Sequence, residues 1–479
     1  MTFEFMDKIS KYIPVITPPK KPLSLREKMV WTAMILGIYF LLYNTYAIGV
    51  NITDVTQPVL QLISIIFAAR IGSIITVGIG PIVLSSIVLQ LLNGSGIIHI
   101  DMDNPIEKGR FQSLQKFSAI AIAIIESVAF VLSGYVPVSN PALAGAVMLQ
   151  LALGAIAIIF MDEMMSKYGI TSGINMFIAA GVSYAIVAGT ATVIFPEVIG
   201  AITAGGAAAP ANAVLAFGPL IFAIIVFLVS IYAYEMKIEL PLSFGQMRGV
   251  GGRLPIPFLY VSVLPVILAT ALEESFTVWF KFLSGITGSF ANLAKFIAYY
   301  QNGALSGGLI YLISPSFPLP YSAPYGIGGY LPYFSYLLTH TSDLFLPMGG
   351  MILVPEWIHV IIYIVVLEIL CVLFGKFWIE MTGQNPEKLA QQLQDMGWQI
   401  PGFRRDPRMI KKLLDKYIPD ITVLGSLFVG LLAAIATLTG AIGTGMGILL
   451  TVGIIYMVYQ QLEQENLYET YPILSKIAK

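Results

Sequence analysis

Long apolar runs, broken by a few polar residues or glycines, recur along the whole chain. Ten of them reach the roughly 20 residues a helix needs to cross the hydrocarbon of a bilayer. They lie at about 29–49, 71–92, 114–136, 141–160, 172–195, 214–236, 258–282, 355–375, 418–439 and 444–462. The first begins after 28 residues and is too long for the apolar core of a cleavable leader. Two other stretches behave differently. Residues 57–69 (QPVLQLISIIFAA) are apolar but too short to span, and read as a re-entrant or buried helix. Residues 296–314 approach span length, but counting them would reverse the orientation of everything downstream. They read instead as outer surface, with the aromatic, proline-rich stretch that follows forming an interfacial belt.

Composition sets the class. The 479 residues are 57% hydrophobic and only 11% charged, with a mean hydropathy of +0.82 and a net charge of −1. Soluble proteins carry about 25% charged residues, so this supply cannot solvate a globule. Disorder and a basic nucleic-acid-binding domain are excluded, and with Cys371 as the single cysteine so is a disulfide scaffold. Of the 26 lysines and arginines, all but Arg70, Lys281 and Lys295 fall in one set of alternate connections. Positive-inside bias therefore predicts a multi-pass protein of the cytoplasmic membrane with both termini cytoplasmic.

The expected fold is all-α and polytopic, ten transmembrane helices in two five-helix halves plus the short re-entrant helix. The expected divisions are a cytoplasmic N-terminal segment 1–28 and an N-terminal half 29–202. A connection at 203–219 leads to a C-terminal half 220–462, with cytoplasmic loops at about 237–257 and 376–416, and a tail 463–479. Five spans per half force the second half to enter from the opposite face, which permits an inverted repeat. No residue-level repeat is visible. Spans 2 and 7 hold matched interruptions, GIGPIV around Pro81 and VLPVILA around Pro265, and both prolines are expected to kink their helices.

Catalytic chemistry is missing from the pattern. His99, His340 and His359 are far apart and Cys371 lies in an apolar span, so neither a metal site nor thiol chemistry is expected. GAIGTGMG (440–447) has neither a preceding strand nor a following lysine, and reads as a tight hairpin rather than a phosphate loop. The chain reads as a non-enzyme without cofactors. Glu126, Glu273, Glu274 and Glu368 fall within spans and should face protein or water. The longer cytoplasmic loop carries adjacent arginines in PGFRR, suited to an anionic partner such as ribosomal RNA. A channel, a secondary transporter built on an inverted repeat, and a membrane insertase all remain compatible with this pattern.

Several long motifs, in order, resemble the SecY family of protein translocase channel subunits, most closely its archaeal members. They are ARIGSIITVGIGPIV (69–83), LLNGSGII (91–98), MDEMMSKYGITSGINMFIAAGVS (161–183), PVILATAL (265–272), PGFRR (401–405) and GILLTVGIIYMVYQQL (447–462). The resemblance implies a channel that passes unfolded polypeptide across the membrane and releases hydrophobic segments, such as signal sequences, sideways into lipid. It places a pore ring at Ile79, Val83, Ile170, Ile174, Leu264 and Leu450. The 57–70 segment becomes a plug bearing Leu60, Leu62, Ile63, Ile65, Ile66 and Phe67. A lateral gate between spans 2 and 7 would involve Pro81, Leu84, Glu126, Pro265 and Ser275. Leu84 and Ser275 stand where the family's polar gate cluster has a threonine and an asparagine. Ribosome or motor contacts map to Arg248, Arg253, Arg404 and Arg405. The resemblance also implies a heterotrimer with the small membrane subunits SecE and a Sec-beta type protein.

Overall fold

The structure is a computed structural model. It describes residues 14, 16–21, 23–51, 69–94, 98, 100, 104–206, 209–244, 251–283, 291–301, 304–315, 320, 329–347, 350–395, 398–399 and 407–470. The plug segment expected at 57–70 therefore lies outside the described residues, apart from its last two positions.

Helices occupy all ten expected spans. Spans 1 to 5 are Leu25–Asn44, Gly80–Gly94, Pro105–Leu132, Ala144–Tyr168 and Gly173–Gly189. The last continues through a π-turn, Thr190–Ile194, into Phe195–Thr203. Spans 6 to 10 are Gly218–Glu235, Leu264–Leu283, Glu356–Thr382, Pro407–Leu438 and Gly445–Thr470. Those of spans 3, 4, 5, 6, 8 and 9 are long and apolar enough to cross a membrane by length and composition. Their outward faces are lined with exposed apolar residues such as Ile125, Leu149, Val187 and Leu431. That is the arrangement of a bundle whose solvent on one side is lipid.

Spans 2 and 7 depart from expectation. Neither is a helix kinked at its proline. Each helix begins inside the predicted span, nine residues in at span 2 and six at span 7, and the proline sits in its first turn. There the missing N–H removes nothing, because first-turn N–H groups have no intrahelical partner. The residues before each helix, 71–79 and 258–263, form consecutive turns. Non-helical backbone at membrane depth survives only when buried in protein, and here it is. Eight of the nine residues 71–79 are buried, Ile74 alone being partly exposed. Ile74 N–H donates to the Thr45 carbonyl and Ala47 N–H to that of Gly72, both at 2.9 Å. On span 4, Gly154 has no side chain where a Cβ would come within 1.9 Å of the Ile74 carbonyl oxygen.

The two loops expected to be cytoplasmic are more ordered than simple connections. Residues 237–257 form a hairpin of β1 (Lys237–Phe244) and β2 (Gly251–Pro257), paired from Lys237↔Pro257 to Ser243↔Gly251. The 376–416 loop is mostly helix. Spans 8 and 9 extend into it, a helix at Pro386–Asp395 lies between them, and a short strand, Trp398–Gln399, pairs antiparallel with β1. Leu240, Ile256, Ile379, Leu393, Ile410, Leu414 and Ile418 are buried together and give this region its own core.

The segment 291–355, expected on the outer side, contains no helix long enough to span among the described residues. It folds as short helices and a four-stranded sheet that includes Thr341–Phe345 paired with Met351–Pro355. Ala298, Leu305, Ile310, Tyr311 and Leu312 form its small core.

Candidate functional site

The two half-helices repeat one another residue by residue. Gly78 and Ser262 both have a φ of +59°. Gly78 N–H donates to the Ile75 carbonyl and Ser262 N–H to that of Leu259, each at 2.9 Å. The Ile79 carbonyl then accepts from Ile82 and Val83 (3.0 and 3.2 Å), and the Val263 carbonyl from Val266 and Ile267 (both 3.2 Å). Each helix starts two residues after the left-handed residue, and each proline follows three after it. Left-handed backbone is unfavourable for residues with a Cβ, which accounts for glycine at 78. This correspondence is invisible in the sequence because only the prolines are shared. It pairs Ile79 with Val263 and Val83 with Ile267, while Leu264 takes the place of Gly80.

Of the six ring candidates, Ile79, Val83 and Leu450 are buried members of the main apolar core, at 2%, 6% and 3% exposure. Ile174 and Leu264 pack against that core, and Ile170 is half-buried in the bend before span 5. Polar contacts from other spans fix the two span 5 candidates. Ile170 N–H donates to Thr32 Oγ1 on span 1 at 3.2 Å, and Ile174 N–H to Asp162 Oδ1 on span 4 at 2.9 Å. Asp162 thus caps the helix that carries the ring position. Gly173 fits beneath it because a Cβ there would meet the Asp162 backbone at 2.5 Å. Sequence reasoning quoted the MDE motif but missed this role. An acid six residues before a helix end, with glycine and isoleucine opening the next helix, was the available signal.

The helices of spans 2 and 7 pack directly against each other, and span 8 lies against both. Pro81, Leu84, Glu126, Pro265 and Ser275 are all buried around this seam. Where Ile87 and Leu91 of span 2 face Leu268 of span 7 and Phe374, Phe377 and Trp378 of span 8, the remaining cavity is about 10 Å³. That is at the lower limit for one water molecule. The seam is closely packed at this level, with Gln90 as the one polar side chain lining the cavity. Glu126, 2% exposed, has Oε2 without a hydrogen-bond partner among the described residues. At the outer end, Lys281 of span 7 lies over the Tyr135 ring, 3.6 Å from its centroid. This cation–π contact ties span 7 to the turn after span 3, and sequence spacing gave no hint of it.

Of the other intramembrane acids, Glu273 is buried and Glu368 half-buried, with Glu368 Oε2 unpartnered among the described residues. His359 is fully buried. Its Nδ1 lies 2.9 Å from Glu356 Oε2 and its Nε2 3.0 Å from the Ser314 carbonyl, while Tyr311 OH donates to Glu356 Oε1 at 2.9 Å. Burial and the neighbouring carboxyl push the Tyr311 phenol well above its ordinary range, so it stays a donor. This network pins the outer segment to the head of span 8. Among the described residues, no group of three or more His, Cys, Asp and Glu side chains is placed to hold a metal ion.

Arg253 projects from β2, 77% exposed, with Nη1 2.6 Å from Glu239 Oε2, a contact that holds its guanidinium charge above the ordinary arginine range. Arg248, Arg404 and Arg405 lie outside the described residues. The chain leading to Arg404 leaves from the strand paired with β1, so both arginine-bearing loops are joined through one sheet, in which β1 lies between β2 and Trp398–Gln399.

Comparison with known proteins agrees with this geometry. The family model SecY matches residues 73–459. Protein translocase subunit SecY of Methanocaldococcus jannaschii is 37% identical over 478 residues, covering 98% of both chains. The Haloferax volcanii protein of the same name is 34% identical over 496 residues, covering 96% of both. A solved structure described as a protein conducting channel superposes with a TM-score of 0.79 at 36% identity, covering 97% of this chain and 98% of the other. Sec61 from a canine ribosome-channel complex gives 0.76 at 35% identity over the same shares. By its ten helices, its paired half-helices and these matches across nearly its full length, the chain belongs to the SecY family.

Proposed function

We infer that this protein is the channel-forming subunit of a protein translocase, passing unfolded polypeptide across the membrane and hydrophobic segments sideways into lipid. The observation that carries this reading is the pair of matched half-helices meeting along a closely packed seam. Helices that begin in turns at these positions can separate without breaking a continuous helix, and their parting opens a slot between pore and lipid. An apolar signal segment entering that slot gains about 0.8 kcal/mol per CH₂ moved out of water.

In this reading Ile79, Val83, Ile170, Ile174, Leu264 and Leu450 close the waist. Aliphatic groups dewet a narrow constriction and offer a sliding chain no fixed partner. Residues 57–70, with Leu60, Leu62, Ile63, Ile65, Ile66 and Phe67, act as the plug. Pro81, Leu84, Glu126, Pro265 and Ser275 belong to the lateral gate. The protein sits in the cytoplasmic membrane with both termini cytoplasmic, in complex with SecE and a Sec-beta type subunit. Arg248, Arg253, Arg404 and Arg405 face the ribosome, in keeping with a relative seen in a ribosome-channel complex.

Export of a secretory preprotein by the reconstituted complex separates this reading from a solute transporter, which would export none, and from an insertase, which would integrate membrane segments only. A stalled nascent signal sequence should crosslink to spans 2 and 7; crosslinks confined to other spans would overturn the gate assignment. Asparagine in place of Ile79 or Val83 should raise ion conductance, and unchanged conductance would remove those residues from the ring.

A further inference from the structure

The outer helix Tyr330–Thr339 has no charged residue and leaves Leu331, Phe334 and Leu338 uncovered, at 79%, 57% and 72% exposure. Spaced by three and four, they share one flank. Ser335 and Thr339, also exposed, occupy the adjoining flank, and Tyr333 on the opposite side is 1% exposed. Both ends of the helix are tied down. At the start Tyr330 OH donates to the Thr439 carbonyl in the hairpin between spans 9 and 10 (3.1 Å). At the end the His340 carbonyl accepts from Glu356 N–H at the head of span 8 (3.0 Å).

The uncovered surface does not stop at this helix. The strand Met351–Pro355 packs between it and span 8 and is itself exposed at Met351, Ile352 and Leu353. Span 8 then continues with Trp357, Ile361, Val365 and Ile369, about half exposed and spaced by four, a stripe that faces lipid in a membrane-spanning helix. The apolar surface of the outer helix is thus an extension of the lipid-facing surface of the bundle.

We propose that Tyr330–Thr339 lies in the outer leaflet at headgroup depth, with Leu331, Phe334 and Leu338 among the acyl chains and Ser335 and Thr339 towards water. An uncharged helix with one apolar and one hydroxyl flank suits that interface, and Trp357 at the same end of span 8 suits an interfacial anchor. The outer segment then serves as a membrane anchor that joins span 8 to the hairpin of spans 9 and 10. This rests on span 8 being a membrane helix, and is independent of which residues form the ring or gate.

The test places the fluorophore NBD on single cysteines, Leu331→Cys, Phe334→Cys, Leu338→Cys, Ser335→Cys and Thr339→Cys, each with the buried Cys371→Ala. The full complex is reconstituted in phosphatidylcholine–phosphatidylglycerol vesicles, and preprotein export verifies assembly of each variant. NBD at 331, 334 and 338 should be blue-shifted and quenched by lipids carrying a shallow nitroxide, while 335 and 339 remain water-like. Water-like emission at all five positions overturns the proposal. Blue-shifted emission without lipid quenching also overturns it, because the face is then covered by protein, a second copy or a small subunit.

Discussion

At the scale of residues, single polar side chains hold the apolar machinery in place. Asp162 aligns Ile174 by accepting its N–H, and replacing it with alanine leaves that donor unpaired in a half-buried site, a loss of about 1–3 kcal/mol. Asp162→Ala should therefore raise the resting ion conductance of the reconstituted channel, while Asp162→Asn, which keeps an acceptor oxygen, should stay near the parent. Equal conductance in all three would show that the cap does not position span 5. The Lys281–Tyr135 contact belongs to the same class. Cation–π pairs contribute about 0.5–2 kcal/mol, here across the outer end of the closed seam. Lys281→Met should let the channel export a preprotein with a shortened apolar signal that the parent rejects. Unimproved export of that substrate would count against a latch at this position. Lys281 stood apart in the sequence only as one of three cations outside the main set, and the partners of Asp162 and Lys281 were not legible there. Their partners are supplied by other spans, and hydropathy carries no information about which spans meet.

At the scale of elements, the half-helices explain why proline is tolerated at 81 and 265. The interruptions were legible, their nature was not: a proline inside an apolar run looks the same whether it bends a helix or begins one. Deciding between them requires knowing that spans 1 and 4 satisfy and cover the backbone of 71–79. The cytoplasmic loops teach a similar lesson. Charge bias identified them, but their shared sheet and common core arise from contacts between segments distant in sequence, such as Ser243↔Gln399. Leu240, 2% exposed, lies in that core, and Leu240→Ala should destabilise it by about 2–5 kcal/mol. If the sheet presents the arginines as one surface, this variant should weaken ribosome binding without touching a charge. Unchanged binding in a sedimentation assay would show that the arginines act independently of the sheet. A further strap is visible at the N-terminus. Lys116 and Lys167 both pair with Glu163 (2.5 and 2.7 Å) and also donate to the Pro14 and Ile16 carbonyls, fastening the entering chain to spans 3 and 4.

At the scale of the whole molecule, the asymmetry of charge and the symmetry of fold have separate consequences. If Arg248, Arg253, Arg404 and Arg405 meet ribosomal RNA as proposed, that association weakens as salt rises. Removing one phosphate contact, as in Arg404→Ala, should reduce the slope of log affinity against log salt by about one. An unaltered slope would remove Arg404 from the interface. The seam of spans 2 and 7, by contrast, is lined mainly by apolar side chains, with the Lys281–Tyr135 contact at one end, so parting it is governed chiefly by apolar burial and should depend less on salt. Binding and gating should accordingly respond to different solution conditions.

The sequence by itself predicted the ten spans, an orientation and a division into five and five, and it pointed to the family. Each of these follows from hydropathy, charge bias or ordered motifs, which are properties of single segments. Tertiary structure decided that spans 2 and 7 are half-helices of matching geometry, that Asp162 and Thr32 fix the span 5 positions, that the two cytoplasmic loops share a sheet, and that the outer segment carries an exposed apolar helix. Those depend on which segments become neighbours. In a bundle of similar apolar helices, neighbours are chosen by close packing at sites such as Gly154 and by a few polar groups, and one-dimensional periodicity records neither.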